Sequence, residues 1–311
     1  MRQKPKSATG AVNRRDFIKV GTLGAGILAI GGATQAYGSA RQTESEASQG
    51  ARFKISCAAY SYRKYLKTGE MTLDDFIDEC IGMGLDAVEL TSYYFPEKIT
   101  PQYLNHLKHK TFINGLDISG TAIQNNFCVP PGEARDRDIL HVKKWIDYAA
   151  DFSAPCIRIF AGNVPDSISE EQAIDWCADC IKICLDHAEI RGVFLALENH
   201  GGITARAATM VKICDKVGNH PWFGINLDTG NFRTDPYGDM ALVAPRVITV
   251  QVKDWVTAPD GNTQEADFKK VLDVLRAAKY RGYLAFEYEG TEDPLTGVPK
   301  WIKRLRVEAG K

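Results

Sequence analysis

The chain has 311 residues, of which 44% are hydrophobic and 25% are charged, and its formal net charge is −1. This composition is typical of a globular protein. It excludes a strongly basic nucleic-acid-binding surface, because phosphate recognition needs clustered Lys and Arg, and we therefore expect no nucleic-acid partner.

The first forty residues carry the pattern of an export signal rather than of a folded domain. A twin-arginine motif lies at residues 13–19, and a glycine-rich apolar run follows at 20–33. Small residues near Ala36 or Ala40 are suited to cleavage. A membrane anchor is the alternative, but the run is shorter than the ~20 apolar residues that a span needs. We expect residues 1–40 to be a twin-arginine signal peptide.

Residues 41–51 are polar and lack periodicity, which predicts a disordered linker before a domain at 52–311. The signal implies the twin-arginine (Tat) export machinery as a partner and a periplasmic or otherwise exported location. It also implies that the mature protein has no stable membrane span.

Three of the eight cysteines, Cys177, Cys180 and Cys184, share one face of a predicted helix. A metal or redox site is one interpretation of this spacing, and a small apolar stripe is the other, which we favour. Twin-arginine substrates fold before export in a reducing compartment, so these cysteines need not form a disulfide framework.

From residue 53 onwards, strand-like and helix-like segments alternate eight times. The predicted strands are 53–59, 85–90, 117–123, 156–161, 193–199, 223–228, 247–253 and 283–288. The predicted helices are 73–83, 101–114, 132–152, 169–190, 204–217, 239–244, 267–279 and 298–307. Eight β–α units in about 260 residues predict a single (β/α)8 TIM barrel, an α/β fold. A doubly wound open sheet is the alternative, but no GxGxxG motif follows the first strand.

The last four predicted strands each end in polar residues. The segments are LALENHGG (195–202), GINLDTGN (224–231), TVQVKDW (249–255) and LAFEYEG (284–290). They place Glu198, Asp228, Gln251 and Glu287 at the carboxyl ends of the strands, which form the active face of such a barrel. Neighbouring strands lie ~4.8 Å apart, so these four side chains could surround one ion. All-oxygen ligands favour Mg²⁺ or Mn²⁺, with Ca²⁺ possible, over zinc. For any one buried carboxylate, a salt bridge is the alternative.

These four segments resemble the sugar phosphate isomerase/epimerase superfamily, the xylose isomerase-like TIM barrels. The resemblance covers residues 53–307 and includes AAYSYR, DAVEL and IRIFAG. It implies a divalent metal held by Glu198, Asp228, Gln251 and Glu287. Gln251 departs from the family, which usually has His here in a His-x-Lys-Asp motif. The metal is then harder or more loosely held, or the chemistry has changed.

The resemblance implies a metal-dependent isomerase or epimerase that works through an enediolate, with the ion as Lewis acid and Glu198 and Glu287 as acid–base pair. Export favours an unphosphorylated sugar or keto-sugar as substrate. A lyase or hydratase that eliminates from a 3-keto-glycoside is the second hypothesis, and a carbohydrate-binding protein on a degenerate barrel is the third. A DNA-repair endonuclease is set aside, because the chain has only six His and a near-zero net charge.

Further polar and aromatic residues are expected to bind substrate. His200 and Lys253 lie two positions after Glu198 and Gln251, and so share their facing in an extended strand. The alternatives are a loop-capping role for His200 and, for Lys253, a pair with Asp254 or another carboxylate. Arg158 and Glu89 are expected near the barrel mouth, holding each other or substrate hydroxyls. The candidates for sugar stacking are Tyr60, Tyr62 and Trp255, with packing under a loop as the alternative.

Overall fold

The computed structural model describes residues 53–311, so the signal peptide expected at 1–40 and the linker expected at 41–51 lie outside the described residues. The strands of the described part are β1 (Lys54–Ala58), β2 (Ala87–Thr91), β3 (Asp117–Ala122), β4 (Cys156–Ile159), β5 (Phe194–Glu198), β6 (Phe223–Asp228), β7 (Val247–Lys253), β8 (Trp255–Thr257), β9 (Thr263–Glu265) and β10 (Tyr283–Glu287). All except β8 and β9 are parallel and form a closed barrel in the order β1-β10-β7-β6-β5-β4-β3-β2. The predicted (β/α)8 fold is confirmed.

Helices connect the barrel strands. They are α1 (Arg63–Leu66), α2 (Leu73–Gly82), α3 (Pro101–Ile113), α4 (Glu133–Asp151), α5 (Glu170–Arg191), α6 (Ala207–Val217), α7 (Pro236–Val243), α8 (Phe268–Ala277) and α9 (Pro294–Ala309). Among residues 53–311, none of these helices combines the length and apolar character that a bilayer crossing requires.

The core lies between the strands and the helices that surround them. Helix α8 shows the pattern: its buried residues are Phe268, Val271, Leu272 and Leu275, at the i, i+3, i+4 and i+7 spacing of one helix face. The strands are mostly buried on both faces, as expected of a parallel sheet covered by helices. The thiols of all eight cysteines are buried, and those on α5 face this core as a small apolar stripe.

Two helices begin earlier than the sequence pattern predicts. Helices α7 and α9 start three and four residues before Asp239 and Val298. In both, an Asp–Pro pair forms the start, because the carboxylate of Asp235 or Asp293 accepts a backbone N–H of the first turn and the proline occupies the first helical position.

Two further differences lie in the loops at the barrel mouth. Helix α6 begins at Ala207 rather than Thr204, because Gly202–Thr204 forms a separate 3-10 turn. The sequence pattern predicts no strand between β7 and α8, but β8 and β9 form an antiparallel hairpin there. Its turn contains Asp260-Gly261, with Gly261 at a φ of +85° that favours glycine.

A substitution at Gly224 tests the pairing between strands β6 and β7 of the barrel. A Cβ at this position would lie 2.9 Å from the Arg246 carbonyl oxygen and 2.5 Å from Cγ2 of Ile248. We expect Gly224→Ala to lower the free energy of unfolding in urea by about 1–3 kcal/mol, because a backbone atom must move. The control is Gly82→Ala at an open, exposed position of α2, which we expect to raise it by up to about 1 kcal/mol. Equal stability of Gly224→Ala and the wild type would contradict the described pairing of β6 and β7.

Candidate active site at the barrel mouth

The strand register brings the predicted site residues together. Strand β6 pairs with β7 so that Asp228 lies beside Gln251, and β7 pairs with β10 so that Lys253 lies beside Glu287. Glu198 ends β5, the next strand around the barrel. We call the charged and amide groups assembled here the mouth cluster. Its members are Glu89, Arg158, Glu198, Asp228, Gln251, Lys253, Glu287 and Glu289.

The ammonium of Lys253 lies among three carboxylates of the mouth cluster. Its Nζ is 2.7 Å from Oε1 of Glu289, 2.8 Å from Oε2 of Glu287 and 3.3 Å from Oδ2 of Asp228. Burial lowers the pKa of this side chain, but the carboxylates raise it well above its ordinary value, so the ammonium stays charged. Asp254, the partner considered from the sequence, instead accepts the backbone N–H of Glu289 at 2.9 Å.

Glu198 is held by a second set of cations. Its Oε2 lies 2.8 Å from Nε of Arg158, without the alignment of a hydrogen bond. Its Oε1 accepts from His200 Nδ1 at 2.7 Å and from Asn231 Nδ2 at 3.3 Å. Burial raises the pKa of Glu198, but Arg158 and His200 outweigh it and hold the pKa below its ordinary value. Glu198 is therefore an ionised carboxylate that can accept a proton.

The guanidinium of Arg158 is fixed by aromatic and carbonyl groups. Its carbon lies 3.9 Å from the ring centroid of Phe160, and its N–H groups donate to the Ile123 carbonyl at 2.8 Å and to the Tyr93 hydroxyl at 3.2 Å. The His200 ring lies 4.1 Å from that of Phe160 between centroids. The His200 side chain is 55% exposed, so it is the part of this network that faces solvent.

Gln251 is held on the inner side of the mouth cluster. Its Nε2 donates to Oε1 of Glu89 at 2.8 Å, and its Oε1 accepts from Nδ2 of Asn226 at 2.8 Å. Burial, followed by the nearby charge of Glu287, raises the pKa of Glu89 to about 7. Within the described residues, Glu89 pairs with Gln251 and forms no ion pair with Arg158, so of the two roles considered for these residues only contact with substrate hydroxyls stays a prediction.

Two buried carboxylate oxygens lack a hydrogen-bond donor among the described residues: Oδ2 of Asp228 and Oε2 of Glu198. The other oxygen of Asp228 accepts from the Gly230 N–H at 2.8 Å. Burial raises the pKa of Asp228 to about 8, with Lys253 opposing the rise and neighbouring carboxylates adding to it. The two oxygens are acceptors that a ligand's hydroxyl groups could satisfy.

A divalent ion at the predicted position would need oxygen ligands at about 2.0–2.6 Å around one point. The space between Asp228 and Glu287 is held by Nζ of Lys253, and the carbonyl oxygen of Gln251 accepts from Asn226. Across residues 53–311, no group of three or more His, Cys, Asp or Glu is arranged to hold a metal ion. As arranged here, the donors do not fit a divalent metal, and the predicted ligand roles stay a prediction.

The three aromatic candidates lie apart from the mouth cluster or beneath it. Tyr62 is fully buried and packs against Phe76 with ring centroids 5.8 Å apart, which is the packing alternative. Tyr60 lies under the guanidinium of Arg63 at 4.9 Å. Trp255 begins the hairpin strand β8. None of the hydrogen bonds and ring contacts described for residues 53–311 joins Tyr60 or Trp255 to the cluster.

The sequence pattern missed five residues that contact the mouth cluster or belong to it. They are Tyr93, Phe160, Asn226, Asn231 and Glu289. Two of them could have been found by the strand period of two, because Asn226 precedes Asp228 and Glu289 follows Glu287 by two positions. Tyr93 lies in a 3-10 turn after β2, where no such period applies.

Comparisons with known proteins agree with this architecture. A family model described as a xylose isomerase-like TIM barrel matches residues 77–306, almost three quarters of the chain. No curated protein matches the chain in sequence.

Solved structures share the fold at low sequence identity. D-psicose 3-epimerase from Clostridium cellulolyticum H10, solved with D-tagatose, aligns with a TM-score of 0.69 at 13% identity, over 83% of this chain and 99% of that one. An IOLI protein with a binding zinc atom aligns with a TM-score of 0.68 at 16% identity, over 83% of this chain and 98% of that one. A protein described as "the probable 3-DHS dehydratase AsbF" from Bacillus anthracis aligns with a TM-score of 0.61 at 16% identity, over 81% of this chain and 99% of that one.

The pH dependence of stability tests the burial of Glu89. The folded protein keeps a proton on this carboxyl up to pH about 7, whereas the unfolded chain releases it near pH ~4.3. Stability therefore falls as the pH rises through this window, by at most about 4 kcal/mol. We expect Glu89→Gln to make this fall smaller, while the raised pKa of Asp228 still contributes to it, measured as the free energy of unfolding in urea at each pH. The exposed Glu308→Gln serves as the control and should keep the wild-type slope. Equal slopes for Glu89→Gln and the wild type would show that the carboxyl is not protonated in the folded protein.

Proposed function

This chain belongs to the xylose isomerase-like TIM barrel family, and we propose that it is an isomerase or epimerase of an unphosphorylated sugar or keto-sugar. In the proposed reaction the C–H bond next to the substrate carbonyl breaks. Its proton passes to one carboxylate, its electron pair forms the C=C bond of an enediolate, and the π pair of the C=O bond moves onto the carbonyl oxygen. A second carboxyl group then returns a proton at the same or the neighbouring carbon.

One observation carries this proposal: two carboxylates, each beside its own cation, end strands β5 and β10, with β6 and β7 between them. Glu198 is held ionised by Arg158 and His200, as a proton acceptor requires. Glu287, beside Lys253, is the proposed partner that returns the proton. Two carboxyl groups on different strands can meet two faces of one substrate.

The charge of the mouth cluster supports a neutral substrate. Five carboxyl groups face two permanent cations, Arg158 and Lys253, so the cluster offers no excess of positive charge to bind a phosphate group. The buried acceptor atoms on Glu198 and Asp228 suit the hydroxyl groups of a sugar. Export supports the same substrate class, and we propose that the Arg14-Arg15 motif directs the protein through the twin-arginine pathway to the periplasm or beyond.

The sequence predicts Mn²⁺ or Mg²⁺ at this site, and one structural neighbour is described with a binding zinc atom. When bound, such an ion would polarise the substrate carbonyl as a Lewis acid. Among the candidate donors, Asp228 and Glu287 contact the ammonium of Lys253, and Gln251 accepts from Asn226, so as arranged they do not fit the ion. The proposed mechanism therefore relies on the side chains of this chain alone.

A lyase that eliminates from a 3-keto-glycoside is the second candidate, and His200 favours it. Its ring is 2.7 Å from Glu198 and more than half exposed. Burial lowers the pKa of His200, but the hydrogen bond to Glu198 outweighs this and raises it. A protonated imidazole beside the proton-accepting carboxylate could protonate a leaving group as the C–O bond breaks. One structural neighbour is described as a probable dehydratase.

Solvent hydrogen exchange tests the proposed function. We expect the protein to incorporate deuterium from D₂O at one carbon of an unphosphorylated sugar or keto-sugar, detected by NMR and mass spectrometry. Glu198→Gln and Glu287→Gln should each slow this exchange by at least about 100-fold, because each removes a proton-transfer group. Glu308→Gln, exposed at the end of α9, should keep the wild-type rate.

The products separate the candidate functions. Deuterium incorporation without loss of a group supports the isomerase or epimerase, whereas release of an aglycone from a 3-keto-glycoside supports the lyase. Saturable sugar binding without exchange would indicate a carbohydrate-binding protein. Wild-type exchange rates in both glutamine variants would contradict the assigned roles of Glu198 and Glu287.

A further inference from the structure

We propose that the ammonium of Lys253 is the resident cation of the mouth cluster, in the position where the family resemblance implies a divalent metal. The catalytic role given to it here rests on the proposed proton-transfer function, whereas the exclusion of metal rests on the geometry alone.

The three donors of the ammonium match its three carboxylate neighbours. A lysine ammonium has three N–H groups and no acceptor, and its Nζ lies within 3.3 Å of Asp228, Glu287 and Glu289. Two of these, Asp228 and Glu287, are among the ligands expected for a metal. A divalent ion bound to both would come within a few ångströms of the ammonium, where like charges repel strongly in a buried site. In the described arrangement, the ammonium and a divalent ion bound to both carboxylates therefore cannot occupy this space together.

The backbone around Lys253 is built to hold its side chain in this position. The Lys253 N–H donates to Oγ1 of Thr229 at 2.9 Å, which fixes the strand end. Gly230 leaves space for the side-chain stem, because a Cβ there would lie 2.8 Å from Cγ of Lys253 and 3.2 Å from the Trp255 carbonyl oxygen. Glu289 is held in turn by the bond from its N–H to Asp254. The ammonium is thus positioned from three directions.

The ammonium can perform the electrostatic task that the reaction needs. When the C–H bond of the substrate breaks, negative charge develops on the carbonyl oxygen, and a fixed cationic donor stabilises that charge most in a buried site. The contact with Asp228 is the longest of the three, at 3.3 Å. Because this contact is an ion pair without a hydrogen bond, an N–H of Lys253 is available to the substrate oxygen while Glu287 and Glu289 hold the ammonium.

The first part of the test measures metal directly and needs no substrate. We expect the purified wild type to contain no stoichiometric metal by mass spectrometry and to give no saturable Mn²⁺ binding by titration calorimetry up to millimolar MnCl₂. Lys253→Ala removes the competing charge and opens space between Asp228 and Glu287, so it should bind about one Mn²⁺ per chain. Lys300→Ala, which removes an exposed lysine paired with Glu292, should behave as the wild type.

The second part measures hydrogen exchange with the sugar or keto-sugar that incorporates deuterium in the D₂O experiment described above. Chelator-treated wild type should keep its full rate, and Lys253→Ala should lose about 100-fold or more under the same conditions. Added methylammonium should restore part of that rate, which loss of a purely structural lysine would not show. The fold of the variant is checked by its melting temperature, and the metal content of the wild type decides the proposal even where the variant does not fold.

Stoichiometric metal in the wild type, with activity lost on chelation and regained on Mn²⁺ addition, would overturn the proposal. Wild-type exchange by chelated Lys253→Ala would overturn the catalytic role. If no sugar exchanges at all, the proposed function fails while the metal measurement still decides which cation the site holds.

Discussion

The structure of the mouth depends on one constraint: a charged group removed from water must find opposite charge within the protein. The ammonium of Lys253 is 4% exposed and lies within 3.3 Å of three carboxylates. Any of these groups left unpaired would cost several kcal/mol. Strands β6, β7 and β10 must therefore keep their register at this end, because a shift of one residue would turn each side chain to the other face.

The same constraint organises the other side of the mouth. Glu198 is buried beside Arg158, and Arg158 is held by Phe160 and by carbonyl and hydroxyl acceptors. The two cations do not balance the five carboxyl groups of the mouth cluster. The excess appears as raised pKa values at Glu89 and Asp228, where burial favours the protonated form. The site thus holds ionised and protonated carboxyl groups side by side, as acid–base chemistry near neutral pH requires.

The fold and the membership of the mouth could largely be predicted from the sequence, because both follow from local patterns. Eight apolar runs alternating with amphipathic segments indicate the barrel, and polar residues at the ends of four runs indicate the site. The pairing inside the site could not be predicted. Whether Lys253 contacts Asp254 or Glu287 depends on the register between β7 and β10, which no local pattern specifies. The role of Tyr93 could not be predicted for the same reason, since its contact with Arg158 joins segments 65 positions apart.

The departure at Gln251 and the position of Lys253 have one explanation. The two residues lie two positions apart on β7, so both point into the mouth. A histidine that binds metal uses one ring nitrogen for the ion and the other for a neighbour. The carboxamide of Gln251 instead donates to Glu89 and accepts from Asn226, both on the inner side of the mouth. Both polar groups of the Gln251 side chain are therefore hydrogen-bonded within the mouth, while Lys253 contacts Asp228 and Glu287. A strand that offers an amide inward and an ammonium outward supplies the mouth with a permanent positive charge. The pair Gln251 and Lys253 is thus better understood as one unit than as a weakened metal ligand beside a substrate-binding lysine.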